Sequence, residues 1–117
     1  MTPAIQPGPS ARPPSEVRFI DVHIEPWPEG QKVRVHVELT PFTEPPSLDI
    51  SIVDGEGHEI SSTSVIETAA RKVVFTMHLR DHAPHQRYTL KARIVYPSII
   101  EPVEQTEVAF ELPDPSS

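Results

Sequence analysis

The chain has 117 residues, 17 acidic and 10 basic side chains, a net charge of −7 and no cysteine. That length suits one domain with a core of its own. The missing cysteines exclude disulfides, thiolate metal centres and cysteine nucleophiles. The acidic balance, with no clustered basic face, speaks against nucleic acid and anionic membrane surfaces as partners.

Met1 to Ser15 holds five prolines (Pro3, Pro7, Pro9, Pro13 and Pro14) and little apolar mass. Such a segment buries too little to offset the entropy of ordering, so residues 1–15 are expected to form a disordered Pro-rich tail. With Arg12 as its one basic residue, the tail reads as a linker rather than a ligand for proline-recognising domains. Residues 16–112 are expected to form a β-sandwich domain, and 113–117 a second tail. No secretion signal or membrane-length apolar run is visible. The expected location is cytoplasmic for the chain as given, or exported if the domain belongs to a longer chain.

The rest alternates apolar and polar residues, the period of half-buried strands. Arg18 to Glu25 gives a first strand with Ile20, Val22 and Ile24 inward, and Pro26 to Gly30 turns the chain. Lys32 to Thr40 follows, with Val33, Val35, Val37 and Leu39 inward, then a proline-stiffened loop, Pro41 to Pro46, carrying Phe42. Leu48 to Val53 points Leu48, Ile50 and Ile52 inward. Asp54-Gly55-Glu56-Gly57 supplies glycines for a tight hairpin to a partner strand at His58 to Val65. Glu67 to Lys72 is a connection with slight helical propensity at Ala69 and Ala70. Val73 to Leu79 and Tyr88 to Tyr96 are the fifth and sixth strands, joined by the loop Arg80 to Arg87. After the loop Pro97 to Pro102, the last strand is Glu104 to Leu112, with Val108, Phe110 and Leu112 inward. Long amphipathic helices are missing, and 15 prolines fit turns and sheet edges better than helix interiors. Seven short strands at this spacing predict an all-β, seven-strand antiparallel sandwich.

At Tyr88 the chain resembles a known pattern. In immunoglobulin-like sandwiches a tyrosine near the start of the sixth strand turns its hydroxyl back onto backbone a few residues upstream. Leu79, a loop with Ala83 and Pro84, and then Tyr88-x-Leu90-x-Ala92-x-Ile94 are similar to that corner. The strand order looks like the fibronectin type III arrangement. That pattern usually carries a tryptophan within its second strand; here Val33 to Leu39 has none, and Trp27 lies in the preceding loop.

Six histidines are the first chemical candidates. His23, His36 and His78 face outward on three strands of one sheet. Pairing Glu25 with Lys32 would set His23 opposite Arg34 and Asp21 opposite His36, leaving the two imidazoles diagonal. That face reads either as a polar surface of complementary charges or as a weak metal site of imidazole and carboxylate ligands, and the polar surface is the simpler reading. His82 and His85 read as solvated loop residues. Together the six add positive charge below roughly pH 6.5, which predicts a modest pH dependence of solubility. Catalytic elbows, zinc-protease motifs and phosphate loops are absent, so no enzyme, catalytic residue or cofactor is expected. Asp54 to Gly57 lacks the further ligands of a calcium loop. Glu101 and Glu104 fall in a loop region where nothing would separate their acidities.

Apolar residues on stiff loops remain. Phe42, Ile99 and Ile100 are expected at one pole, either capping the core or forming a partner surface. Trp27, at the opposite pole, either covers the core's end or anchors a partner. The expected function is a non-catalytic interaction or structural module that binds a protein partner through end loops or an edge strand. The alternative is a carbohydrate- or metal-binding sandwich. A monomer or weak homodimer is expected.

Overall fold

The computed structural model describes residues 11–27, 32–79 and 87–112. Seven strands run in order: β1 (Phe19–Pro26), β2 (Lys32–Leu39), β3 (Ser47–Val53), β4 (Glu59–Val65), β5 (Lys72–His78), β6 (Arg87–Val95) and β7 (Glu104–Glu111). They form two antiparallel sheets, ordered β1-β2-β5 and β4-β3-β6-β7. The fold is therefore an all-β sandwich, as the alternation predicts.

The core comes from one face of each central strand. Val33, Val35, Val37 and Leu39 of β2 meet Leu48, Ile50 and Ile52 of β3 and Leu90, Ala92 and Ile94 of β6, all buried. Inward residues of the outer strands, such as Val22, Ile24, Val73, Phe75 and Phe110, are half-buried against them. The gradient follows from position, since a central strand has neighbours on both sides. Tyr88 is also buried, its ring stacked 5.7 Å from Phe110. The upstream backbone expected to receive its hydroxyl lies in residues 80–86, outside the described ones.

Several local expectations need correction. Ile20 is not inward: the pairing slips between Phe19 and Asp21, leaving Ile20 53% exposed while Phe19 packs on the core. An irregularity of this kind flips the side-chain parity of whatever precedes it. The β1–β2 register differs by two residues, with Glu25 opposite Arg34 and Pro26 opposite Val33. Pro26 belongs to β1 as its last residue, where a proline is tolerated on the side of an edge strand that faces away from the ladder. Trp27 N–H then bonds the Lys32 carbonyl at 2.9 Å.

Residues before β1 also bond to the sandwich. Arg12 N–H bonds the Pro41 carbonyl at 3.0 Å, and Thr43 N–H bonds the Arg12 carbonyl at 3.0 Å. A short 3-10 turn at Pro14–Glu16 leads to the fully buried Val17. Expected tail residues 1–10 and 113–117 lie outside the described residues.

Residues 67–71 form no helix. Glu67 takes a left-handed φ of 46°, and buried Thr68 ties the segment to the Pro46 carbonyl at 2.9 Å. Glu104 stands at the start of β7, as the strand pattern expects, and not in a loop beside Glu101: it accepts the Phe19 N–H at 2.6 Å and faces Arg18 at 3.5 Å, closing the β1–β7 side. The Asp54 hairpin forms as expected. Asp54 Oδ1 accepts N–H groups of Glu56 and His58 at 2.9 Å each, and Gly57 adopts φ 88°.

Candidate functional site

An apolar exposed surface lies at one pole, where the β6–β7 loop meets the β2–β3 loop and the connection after β4. Tyr96, just past β6, is buried and donates its hydroxyl to the Glu44 carbonyl at 2.9 Å. Burial, and then the charge of Glu44, push its phenol up to about 12. Tyr96 thus pins the two loops together and sets the floor of a groove of about 530 Å³. Ile66, Glu67, Val95, Ile99 and Ile100 are among its walls. Ile100 is fully exposed and Ile66 is 70% exposed, while Ile99 is half-buried against the core.

The expected pole residues therefore divide. Ile99 and Ile100 line the groove. Phe42 does not: it lies half-buried against the core, with its backbone bridged to Arg12. Ile66 takes its place in the surface, and the sequence does carry a signal for it. Val65 and Ile66 are adjacent apolar residues; Val65 pairs with buried Leu48 and packs on the core, so its neighbour must face away.

Trp27 sits at the other end of β2, half-buried. Lys32 Nζ stands 4.7 Å from its ring centre and the Arg34 guanidinium 5.8 Å, both within cation–π range. Glu25, Pro26, Trp27 and Arg34 line a shallow cleft of about 290 Å³.

The outer face of the three-stranded sheet brings His23 and His36 directly opposite rather than diagonal. Their rings stack at 4.3 Å with 9° between planes. Each imidazole has its own carboxylate: His23 Nδ1 meets Asp21 at 2.6 Å, and His36 Nε2 meets Glu25. The hydrogen bond from His36 holds the Glu25 carboxyl below its ordinary range, helped by the charges of His36, Arg34 and His23. His78 stands opposite Lys32, whereas Val74 is the residue opposite His36, so the three outward histidines are not brought together. Among the described residues no group of three histidine or carboxylate side chains converges as a metal site would require. His82 and His85 lie outside the described residues.

The four-stranded sheet presents a polar outer face. Asp49 is its centre, accepting Ser64 Oγ at 2.9 Å and Arg93 at 3.3 Å. Ser51, Ser62 and Lys91 complete a shallow depression of about 570 Å³.

The class these features define is a two-sheet antiparallel β-sandwich with an apolar groove at one end. No protein-family model matches the chain, and no curated protein matches its sequence. Solved structures do match the fold. A β-glucuronidase of Parabacteroides merdae superposes with a TM-score of 0.66 at 14% identity, over 83% of this chain and 14% of its own. The Bifidobacterium dentium β-glucuronidase complexed with coumarin-3-O-glucuronide gives 0.67 at 15% identity, over 82% and 18%. The Ruminococcus gnavus β-glucuronidase in complex with D-glucuronic acid gives 0.58 at 13%, over 83% and 16%. At these identities the likeness concerns the fold, and this chain spans less than a fifth of each of these enzymes.

Proposed function

We propose that the chain is a non-catalytic interaction module of the immunoglobulin-like, fibronectin type III-like kind, holding a protein partner at the pole of Ile66, Ile99 and Ile100. The strand order supports the family reading. β4 pairs with β3 in the sheet of β6 and β7, whereas the constant-type immunoglobulin arrangement puts its fourth strand beside the fifth. The groove carries the functional reading. Its walls include exposed Ile100 on a proline-flanked loop and exposed Ile66 on the β4–β5 connection, and its floor is a buried, hydrogen-bonded tyrosine. A stiff apolar surface loses little conformational entropy on binding.

Site-specific photo-crosslinking in the native cell tests this. A photoreactive residue at position 100 should yield a discrete protein adduct that is absent when the same group replaces Lys91. Ile66→Ser with Ile99→Ser should remove the adduct while circular dichroism shows a folded domain. Equal labelling from both positions, or labelling that survives the serines, overturns the groove reading. Phe42→Ser is unsuitable as a probe, because Phe42 packs on the core.

A second reading is carried by the Trp27 cleft, where an indole, a guanidinium and a carboxylate adjoin. These groups suit a sugar, one by stacking and the others by hydrogen bonding, and the fold neighbours act on glucuronides by their names. Saturable quenching of Trp27 fluorescence by glucuronic acid, lost in Arg34→Ala, would favour it; unchanged fluorescence at millimolar sugar would remove it.

A further inference from the structure

We propose that the edge of β4 is a self-association site, on which β4 of a second copy of this chain pairs antiparallel about Ser62. This extends the reading of the domain as an interaction module, but it uses a different surface from the groove.

The four outer strands of the sandwich are not alike. β1 carries Asp21, His23, Glu25 and Pro26 along its length, and β7 carries Glu104, Glu107 and Glu111. Their common side is further closed by Glu104, which reaches across to Phe19 and Arg18. Charges, prolines and cross-links of this kind guard an edge against added strands. On the opposite side, β5 begins with Lys72, the commonest edge guard, and ends with His78. β4 is guarded only at its start, by Glu59 and by an irregularity at Ile60, which has no partner in β3; beyond it Ser61-Ser62-Thr63-Ser64-Val65 is a run without charge, proline or glycine. It is terminal in its sheet, so among the described residues one side of its backbone has no strand partner. A depression of about 570 Å³ lies on the outer face of its sheet, and one of about 370 Å³ lies between β4 and β5.

A second copy fits this edge on chemical grounds. Two identical antiparallel strands related by a two-fold axis normal to the sheet must pair residues of the same side-chain parity. The pairing is therefore centred on a residue, not between residues. Centred on Ser62, it sets Ser61 opposite Thr63 and runs out at the irregularity at Ile60, so Glu59 of neither copy is brought opposite a like charge. Centred on Thr63, pairing of the start of β4 would call on Ile66 and Glu67, which lie past its end, Glu67 at a left-handed φ of 46°. The nearest fixed cation, Lys91, lies two strands inward in each copy. The two lysines would then be five strand spacings apart, roughly 24 Å, well beyond the screening length at physiological salt. One strand pair buries less than the roughly 1,200–2,000 Å² of a stable interface, so a dissociation constant in the micromolar to millimolar range is expected.

The chain has no native cysteine, which makes the test clean. Directly opposed residues in an antiparallel pair have Cα atoms about 4.5–5.5 Å apart, within disulfide reach. In the Ser62-centred pairing, S62C thiols of two copies meet directly. S64C thiols lie four residues out of register, roughly 13 Å apart. Mild oxidation of S62C at high micromolar concentration should give covalent dimer at least tenfold faster than S64C. Sedimentation of the unmodified chain should show a concentration-dependent mass that Ser62→Lys lowers to monomer with an unchanged melting temperature. Equal crosslinking of S62C and S64C, faster crosslinking of S64C, or a monomer at millimolar concentration overturns the proposal. Ile66→Ser with Ile99→Ser should leave S62C crosslinking unaltered, so failure of the groove reading and failure of this one are separable.

Discussion

Two tyrosines and one glutamate show how much a single side chain decides in this sandwich. Tyr88 announces itself in the sequence because it opens the most regular strand, and it is buried as that strand requires. Tyr96 has no such signal; its role depends on Glu44, which lies 52 residues away in the chain. Removing its hydroxyl with Tyr96→Phe should cost about 0.5–1.5 kcal/mol, the net contribution of one such hydrogen bond. The pH profile carries a sharper signature. Tyr96 has its pKa raised from 10.0 to about 12, so the native state holds its proton more tightly than the unfolded chain does. Stability is unaffected by this group at neutral pH and falls as pH rises between those two values. Urea unfolding at pH 8 and pH 11 should show that loss in the parent chain and a smaller one in Tyr96→Phe. Glu25 runs in the opposite direction. Its carboxyl is held low by His36, so its contribution is present above the ordinary glutamate range and fades as pH falls through the lowered value. In His36→Ala, a carboxyl NMR titration should find Glu25 titrating at higher pH than in the parent; an unchanged midpoint would show that His36 does not hold it.

At the level of strands, alternation was sufficient wherever a strand is central and regular. β2, β3 and β6 bury the residues that their pattern marks, because strands flanked on both sides have one dry face and no freedom to slip. The pattern failed at edges, where one residue of irregularity reverses parity. Ile20 and Phe19 exchanged places at such a slip, and Pro26 extended β1 where a turn was expected. The same two-residue difference in register separates the stacked histidine pair from the diagonal one that the alternation predicts. Ile66 was legible in principle from its neighbour Val65, while the half-burial of Phe42 was not, since it depends on the N-terminal segment bridged to it. A paired substitution checks the placement. Leu90→Ala, at a fully buried position, should cost about 2–5 kcal/mol. Ile20→Ser, at a half-exposed position, should stay within about 0.5 kcal/mol by chemical denaturation. Comparable losses for the two would place Ile20 in the core after all.

Across the whole molecule, charge and shape act in opposite directions. The sequence makes the acidic surplus plain, yet it does not say which flank of the sandwich is left unguarded, because that depends on which strands become edges. The sheet order puts the acidic strands β1 and β7 on one side and the uncharged run of β4 on the other. Two copies approaching through β4 therefore meet no local repulsion but still carry −7 each. Long-range repulsion of this kind is screened by salt, whereas backbone pairing between the strands is not. Six histidines add a second control, since imidazoles in general gain protons as pH falls below about 6.5. If all six were charged, the net charge would move from −7 to −7 + 6 = −1. Self-association should therefore strengthen as sodium chloride rises from 20 to ~500 mM at pH 8, and strengthen again as pH falls from 8 to 6 at fixed salt. Sedimentation equilibrium reads both as a rise in weight-average mass, and Ser62→Lys should abolish both. Association that weakens with added salt would mean that ion pairs, rather than the uncharged edge of β4, hold the two copies together.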